Sequence, residues 1–61
     1  MYEKYAELRD SKEITDYRVA SDTGITKSTF TDWKRGRSKP KAEKLKILAD
    51  YFNVSVDYFL E

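Results

Sequence analysis

The stretch TGITKSTFTDWKRG, residues 23–36, carries more positional detail than a plain connector between helices requires. Gly24 stands between two runs of helical spacing, Ile25 and Thr26 follow it, and the run closes on the cluster Lys34-Arg35-Gly36-Arg37. A residue just past a helix end commonly takes left-handed dihedrals, which glycine reaches without a Cβ penalty. Ile25 then fills the corner, and Thr26 is suited to cap a new helix. That helix is predicted from Lys27 to about Lys34, with Phe30 and Trp33 on its buried side.

Upstream, Val19 and Ala20 belong to a helix predicted from Asp16 to Thr23. Ile14 packs ahead of it, Thr15 is its N-cap, and Asp16 lies in the first turn, where the helix dipole favours an anion. Tyr2, Tyr5 and Leu8 recur at helical spacing among polar residues, which gives a first helix over residues 2–11. Downstream, the polar loop Arg35–Lys39 interrupts the pattern. Pro40 is placed near the start of a fourth helix, where its missing N–H is harmless. Ala42, Leu45, Leu48, Ala49 and Phe52 form the apolar stripe of that helix. Asn53 ends it, and Ser55 caps a last short helix carrying Val56 and Phe59. The expectation is an all-α chain, a compact five-helix bundle forming one domain over residues 1–61.

Composition sets limits on what such a domain can do. The chain has 61 residues, so it buries only about 60% of the surface of its unfolded form. Cys and His both number 0, which excludes disulfides, the usual zinc ligands, and Cys or His catalysts. No EF-hand spacing occurs, and no cofactor is indicated. Asp10, Glu13 and Asp16 lie three apart, but no nucleophile or metal partner accompanies them, and they read as solvated helix surface. The chain is not expected to be an enzyme, and no small-molecule substrate is evident. No apolar run reaches the roughly 18 residues of a membrane span, and Met1 leads into polar YEKYAELRD. A cytoplasmic location is expected, with no membrane partner. Most of the aromatic residues fall at apolar helical positions and read as core rather than as stacking platforms, with Tyr17 the exception.

The overall charge of +1 hides an uneven distribution. Residues 1–23 set Lys4, Arg9, Lys12 and Arg18 against six acids, giving −2. Residues 24–46 set Lys27, Lys34, Arg35, Arg37, Lys39, Lys41, Lys44 and Lys46 against Asp32 and Glu43, giving +6. Residues 47–61 carry Asp50, Asp57 and Glu61 alone, giving −3. A basic middle between acidic ends suits a polyanion, although a lysine-rich face is also an ordinary solvated surface. Two short helices joined by a tight glycine turn form a helix-turn-helix, whose second helix enters the DNA major groove. Ala20 is small where the helices cross, Gly24 makes the turn, and Val19, Ile25, Phe30 and Trp33 anchor the pair. Lys27, Ser28, Thr31 and Asp32 are left to face outward.

On these residues the chain resembles the helix-turn-helix DNA-binding domains of phage repressor and Cro type. The likeness runs from about Tyr5 to Leu60. It rests on VASDTGITKSTFTDW, on KRGRSKP, and on LKILADYFNVSVDYFL, which is similar to the closing pattern of that family. The resemblance implies a lambda-repressor-like bundle acting as a transcriptional regulator on a two-fold symmetric operator, bound as a homodimer to double-stranded DNA. It implies base contacts from Lys27, Ser28 and Asp32, with Thr31 beside them. Thr26 would lie near sugar-phosphate, and Arg37 and Lys39 would grip the backbone. This chain departs from the pattern at three places. Asp16 stands where the family often has a phosphate-clamping Gln and would repel a phosphate, leaving neighbouring Tyr17 to donate. Lys34 stands where a Glu often pairs with the helix-one Arg, which leaves Arg9 for phosphate or for Glu13. Thr23 replaces a commonly apolar residue. The competing reading is a helical protein-interaction module, such as an antitoxin-like partner, using the apolar edge at Val54, Tyr58 and Leu60.

Overall fold

Short helices leave many end groups to satisfy, and here most ends are closed by the chain itself. The computed structural model describes residues 1–60, with helices α1 (Tyr2–Ser11), α2 (Asp16–Thr23), α3 (Lys27–Arg35), α4 (Ala42–Phe52) and α5 (Val56–Leu60). No strand is present among the described residues. Thr15 and Thr26 cap α2 and α3, their hydroxyls accepting from the N–H groups of Arg18 and Thr29. At the other ends, Gly24 (φ 81°), Gly36 (φ 76°) and Asn53 (φ 57°) are left-handed. Glu13 does the same after α1, with φ 56°. The N–H of Ile14 bonds the Arg9 carbonyl, and that of Glu13 bonds the Asp10 carbonyl. Arg37 with Asp32 and Gly36 with Trp33 repeat this double closure after α3, so two carbonyls of the last turn of each helix find backbone partners.

The core is one cluster of Tyr5, Val19, Ile25, Phe30, Trp33, Leu45, Leu48, Ala49, Phe52 and Phe59, drawn from all five helices and the α2–α3 turn. Aromatic rings dominate it. Tyr5 stacks on Phe30 with ring centres 4.8 Å apart, and Trp33 meets Phe30 edge-on at 5.2 Å. Phe52 approaches Tyr5 edge-on at 6.1 Å. Burying a Phe side chain contributes about 1.5–3 kcal/mol, and a domain of this length has only roughly 3–9 kcal/mol in total. The aromatic cluster is therefore decisive for stability.

The apolar stripe of α4 is shorter than the sequence suggests. Ala42 is exposed, because it is the first residue of the helix and lies at the margin of the bundle; the buried stripe begins at Leu45. Pro40 also sits further out, ahead of the N-cap Lys41. Ala20 is half-buried at the α2–α3 crossing. On the opposite side of α2, the Tyr51 hydroxyl of α4 donates to Asp22, which also pairs with Arg18 at 2.8 Å.

Two stability measurements follow. Nothing lies within 4 Å of a Cβ built on Gly24, so Gly24→Ala adds no clash, only the cost of left-handed backbone. The expected loss is about 1 kcal/mol or somewhat more in denaturant unfolding. A second test uses pH. The Tyr51 hydroxyl, and then Arg18, hold the Asp22 carboxyl below its ordinary value. The folded state therefore binds fewer protons than the unfolded one, and this contribution is present at neutral pH and lost on acidification. Tyr51→Phe should lower the melting temperature at pH 7, with the difference from the parent narrowing as pH falls through the carboxylate range.

Candidate nucleic-acid interface

Helix α3 is anchored by Phe30 and Trp33, so its opposite side is presented to solvent. The Thr26 hydroxyl accepts from the Thr29 N–H at 3.4 Å and shares hydrogen bonds with the hydroxyls of Ser28 (3.2 Å) and Thr29 (2.8 Å). This knot of hydroxyls fixes the first turn, and Lys27 and Ser28 stand exposed on it. Free N–H groups and the positive end of the helix dipole meet at this turn, which favours an anion nearby.

The other expected contacts fall into separate groups. Thr31 is half-buried, and its hydroxyl donates back to the Lys27 carbonyl at 3.4 Å. Asp32 is also half-buried and pairs with Arg37 at 3.7 Å, joining an expected base contact to an expected backbone contact. Such an open pair is worth less than about 1 kcal/mol, so it opposes rearrangement only weakly. Tyr17, at the second position of α2, is 73% exposed. It lines a shallow hollow with Lys27, Arg9 and Asp16. Lys39 lies elsewhere, in a hollow lined by Trp33, Lys34, Pro40 and Phe59 beyond the far end of α3. At 1.5 Å per residue the two ends of this helix are about 12 Å apart.

Arg9 is not a free cation. Its Nη1 donates to Asp16 Oδ1 at 2.9 Å and to the Tyr2 hydroxyl at 3.1 Å, and its Nε donates to Asp10 Oδ1 at 3.1 Å. None of its hydrogen bonds goes to Glu13, which lies beyond the end of α1. Asp16 Oδ1 also accepts from the Tyr5 hydroxyl at 2.6 Å. Burial first, and then this hydrogen bond, push the Tyr5 hydroxyl above its ordinary titration range. The bond to Asp16 is the main cause holding the Arg9 guanidinium protonated, against desolvation. Helical spacing marks Tyr5 only as a core ring and does not reveal this junction. The available signal was that a buried tyrosine needs a partner for its hydroxyl.

Charge is compensated unevenly across the surface. Among the eight basic residues of the segment 24–46, only Arg37 and Lys46 pair with acids among the described residues. Lys27, Lys34, Arg35, Lys39 and Lys41 are exposed and make no ion pair with the described residues. The acid-rich first segment behaves differently, with both Arg9 and Arg18 paired.

A capped helix held after a left-handed glycine turn, with a polar first turn and uncompensated cations behind it, defines a helix-turn-helix protein. The chain belongs to the helix-turn-helix family, whose model matches residues 6–59. It is 36% identical over 58 residues to the uncharacterized HTH-type transcriptional regulator YobD of Bacillus subtilis, covering 95% of this chain and 52% of that protein. It is 29% identical over 58 residues to the HTH-type transcriptional activator BcrR of Enterococcus faecalis, covering 95% of this chain and 28% of that protein. Over 53 residues it is 28% identical to the cryptic phage CTXphi transcriptional repressor RstR of Vibrio cholerae, covering 87% of this chain and 48% of that protein. The chain thus spans between 28% and 52% of the length of these relatives. No solved structure matches it significantly. No helix among the described residues is long and apolar enough to cross a membrane.

Proposed function

We propose that this chain binds double-stranded DNA sequence-specifically and serves as the reading domain of a transcriptional regulator. The observation that carries this reading is α3. Its buried side is fixed by Phe30 and Trp33, its first turn is exposed and polar, and the cations Lys34, Arg35, Lys39 and Lys41 beyond it make no ion pair with the described residues. Similarity to proteins named as transcriptional regulators, one an activator and one a phage repressor, supports the same function.

The roles divide along the helix. Lys27 reaches a base edge, best matched by guanine O6 and N7, while Ser28 adjusts the neighbouring step. Asp32 accepts from a cytosine amino group once its pairing with Arg37 opens. Thr31 stands between them with its hydroxyl turned to its own helix. Thr26, Tyr17, Arg37 and Lys39 meet sugar and phosphate, which sets register without reading sequence. Lys27→Ala should cost about 1–3 kcal/mol on the preferred site and relax preference at one base pair. Lys39→Ala should weaken all duplexes alike and lower the salt slope by about one unit. Binding of both variants to preferred and scrambled duplexes over a salt series separates the roles. Equal loss on both duplexes for Lys27→Ala would reassign Lys27 to phosphate.

One domain reads a half-site, and two half-sites on one duplex face lie about 34 Å apart. A homodimer on a two-fold symmetric operator meets that geometry. Its contact is assigned to the α5 edge, where Leu60 is 67% exposed beside half-buried Tyr58. Footprinting should show two protected half-sites; one asymmetric site at every occupancy would exclude paired binding.

A further inference from the structure

The hollow at the start of α2 holds more negative charge than a phosphate-binding surface should. The Arg9 guanidinium faces two carboxylates, Asp10 and Asp16, so these three sum to −1, and Lys27 brings the whole hollow only to zero. Asp16 is the more deeply set of these, its side chain 25% exposed against 70% for Asp10. It is held in place by the hydroxyl of Tyr5, which is itself fully buried. Tyr17 and Lys27, both assigned to DNA, line the same hollow.

From this geometry we infer that Asp16 is an affinity-setting residue: by pairing with the protonated Arg9 it compensates that positive charge and removes one phosphate contact beside the first turn of α3. The inference rests on the DNA-binding reading above. Its physical basis is counterion release: each phosphate neutralised adds about 0.9 to the slope of log affinity against log salt. An Arg9 held between two carboxylates displaces no counterions from the duplex. The uncompensated cations between Lys34 and Lys41 then supply most of the sequence-independent attraction, and each domain grips DNA more tightly at the far end of α3. Weak binding by a single domain keeps it off bulk DNA.

Asp16→Asn tests this. The amide oxygen still accepts from Tyr5, while Arg9 loses its main charged partner. The salt slope should steepen by about 0.9 on preferred and scrambled duplexes alike, with their affinity ratio unchanged. That slope converts to an affinity gain of about eightfold between 1 M and 0.1 M salt. Adding Arg9→Gln to this variant should return the slope to that of the parent. Asp10→Asn, at an exposed position where folding is not at risk, should give a smaller gain of the same sign. Thermal melting checks that each variant is folded. An unchanged slope in folded Asp16→Asn, or a steep slope that survives Arg9→Gln, overturns the inference. Failure of the parent chain to bind any duplex at low salt would instead remove the DNA-binding reading itself, so the two failures are distinct.

Discussion

Tyr5 is the residue through which three helices are referred to one another. Its ring, carried on α1, stacks against Phe30 of α3, and its hydroxyl donates to Asp16 at the first turn of α2. Helices α2 and α3 are thereby positioned on a common support by one side chain, apolar along its body and polar at its tip. A chain without disulfides depends on such contacts. A loss here would alter the relative placement of the two helices as well as the stability of the whole.

Much of the fold was legible because its signals are local. Threonine caps, a glycine after α2, an asparagine after α4 and apolar spacing each report on a few neighbouring residues; the structure has these caps and helix ends where the sequence places them, and the apolar spacing everywhere along α4 except at Ala42. The end of α1 was less legible. Glu13 takes a left-handed conformation with neither glycine nor asparagine to announce it, held there by the double closure onto Arg9 and Asp10. Ala42 misled for a different reason. Periodicity shows which side of a helix faces inward but not how far along the helix the core extends.

The candidate site was legible in outline, while its wiring was not. Exposure of Lys27, Ser28 and Tyr17 follows from the position of the turn and the buried side of α3. The partners of Arg9 depend on the crossing of α1 and α2, which no single-sequence pattern encodes. From sequence alone, Asp16 reads as a group set against phosphate. In the folded chain it is also an internal acceptor for Arg9 and Tyr5. Losing a Glu partner at position 34 thus does not strand Arg9, because a carboxylate seven residues onward takes that place.

The longest helix, α4, has 11 residues, and α3 has only 9. Isolated helices shorter than about 12–15 residues are marginal in water. None of these segments can be expected to keep its shape apart from the others. The exposed helix therefore has no partly ordered reserve form: warming that disrupts the aromatic cluster dissolves the proposed DNA-facing surface in the same step. Under the proposed function, loss of DNA binding on heating would be abrupt, with the temperature set by packing far from the proposed base contacts.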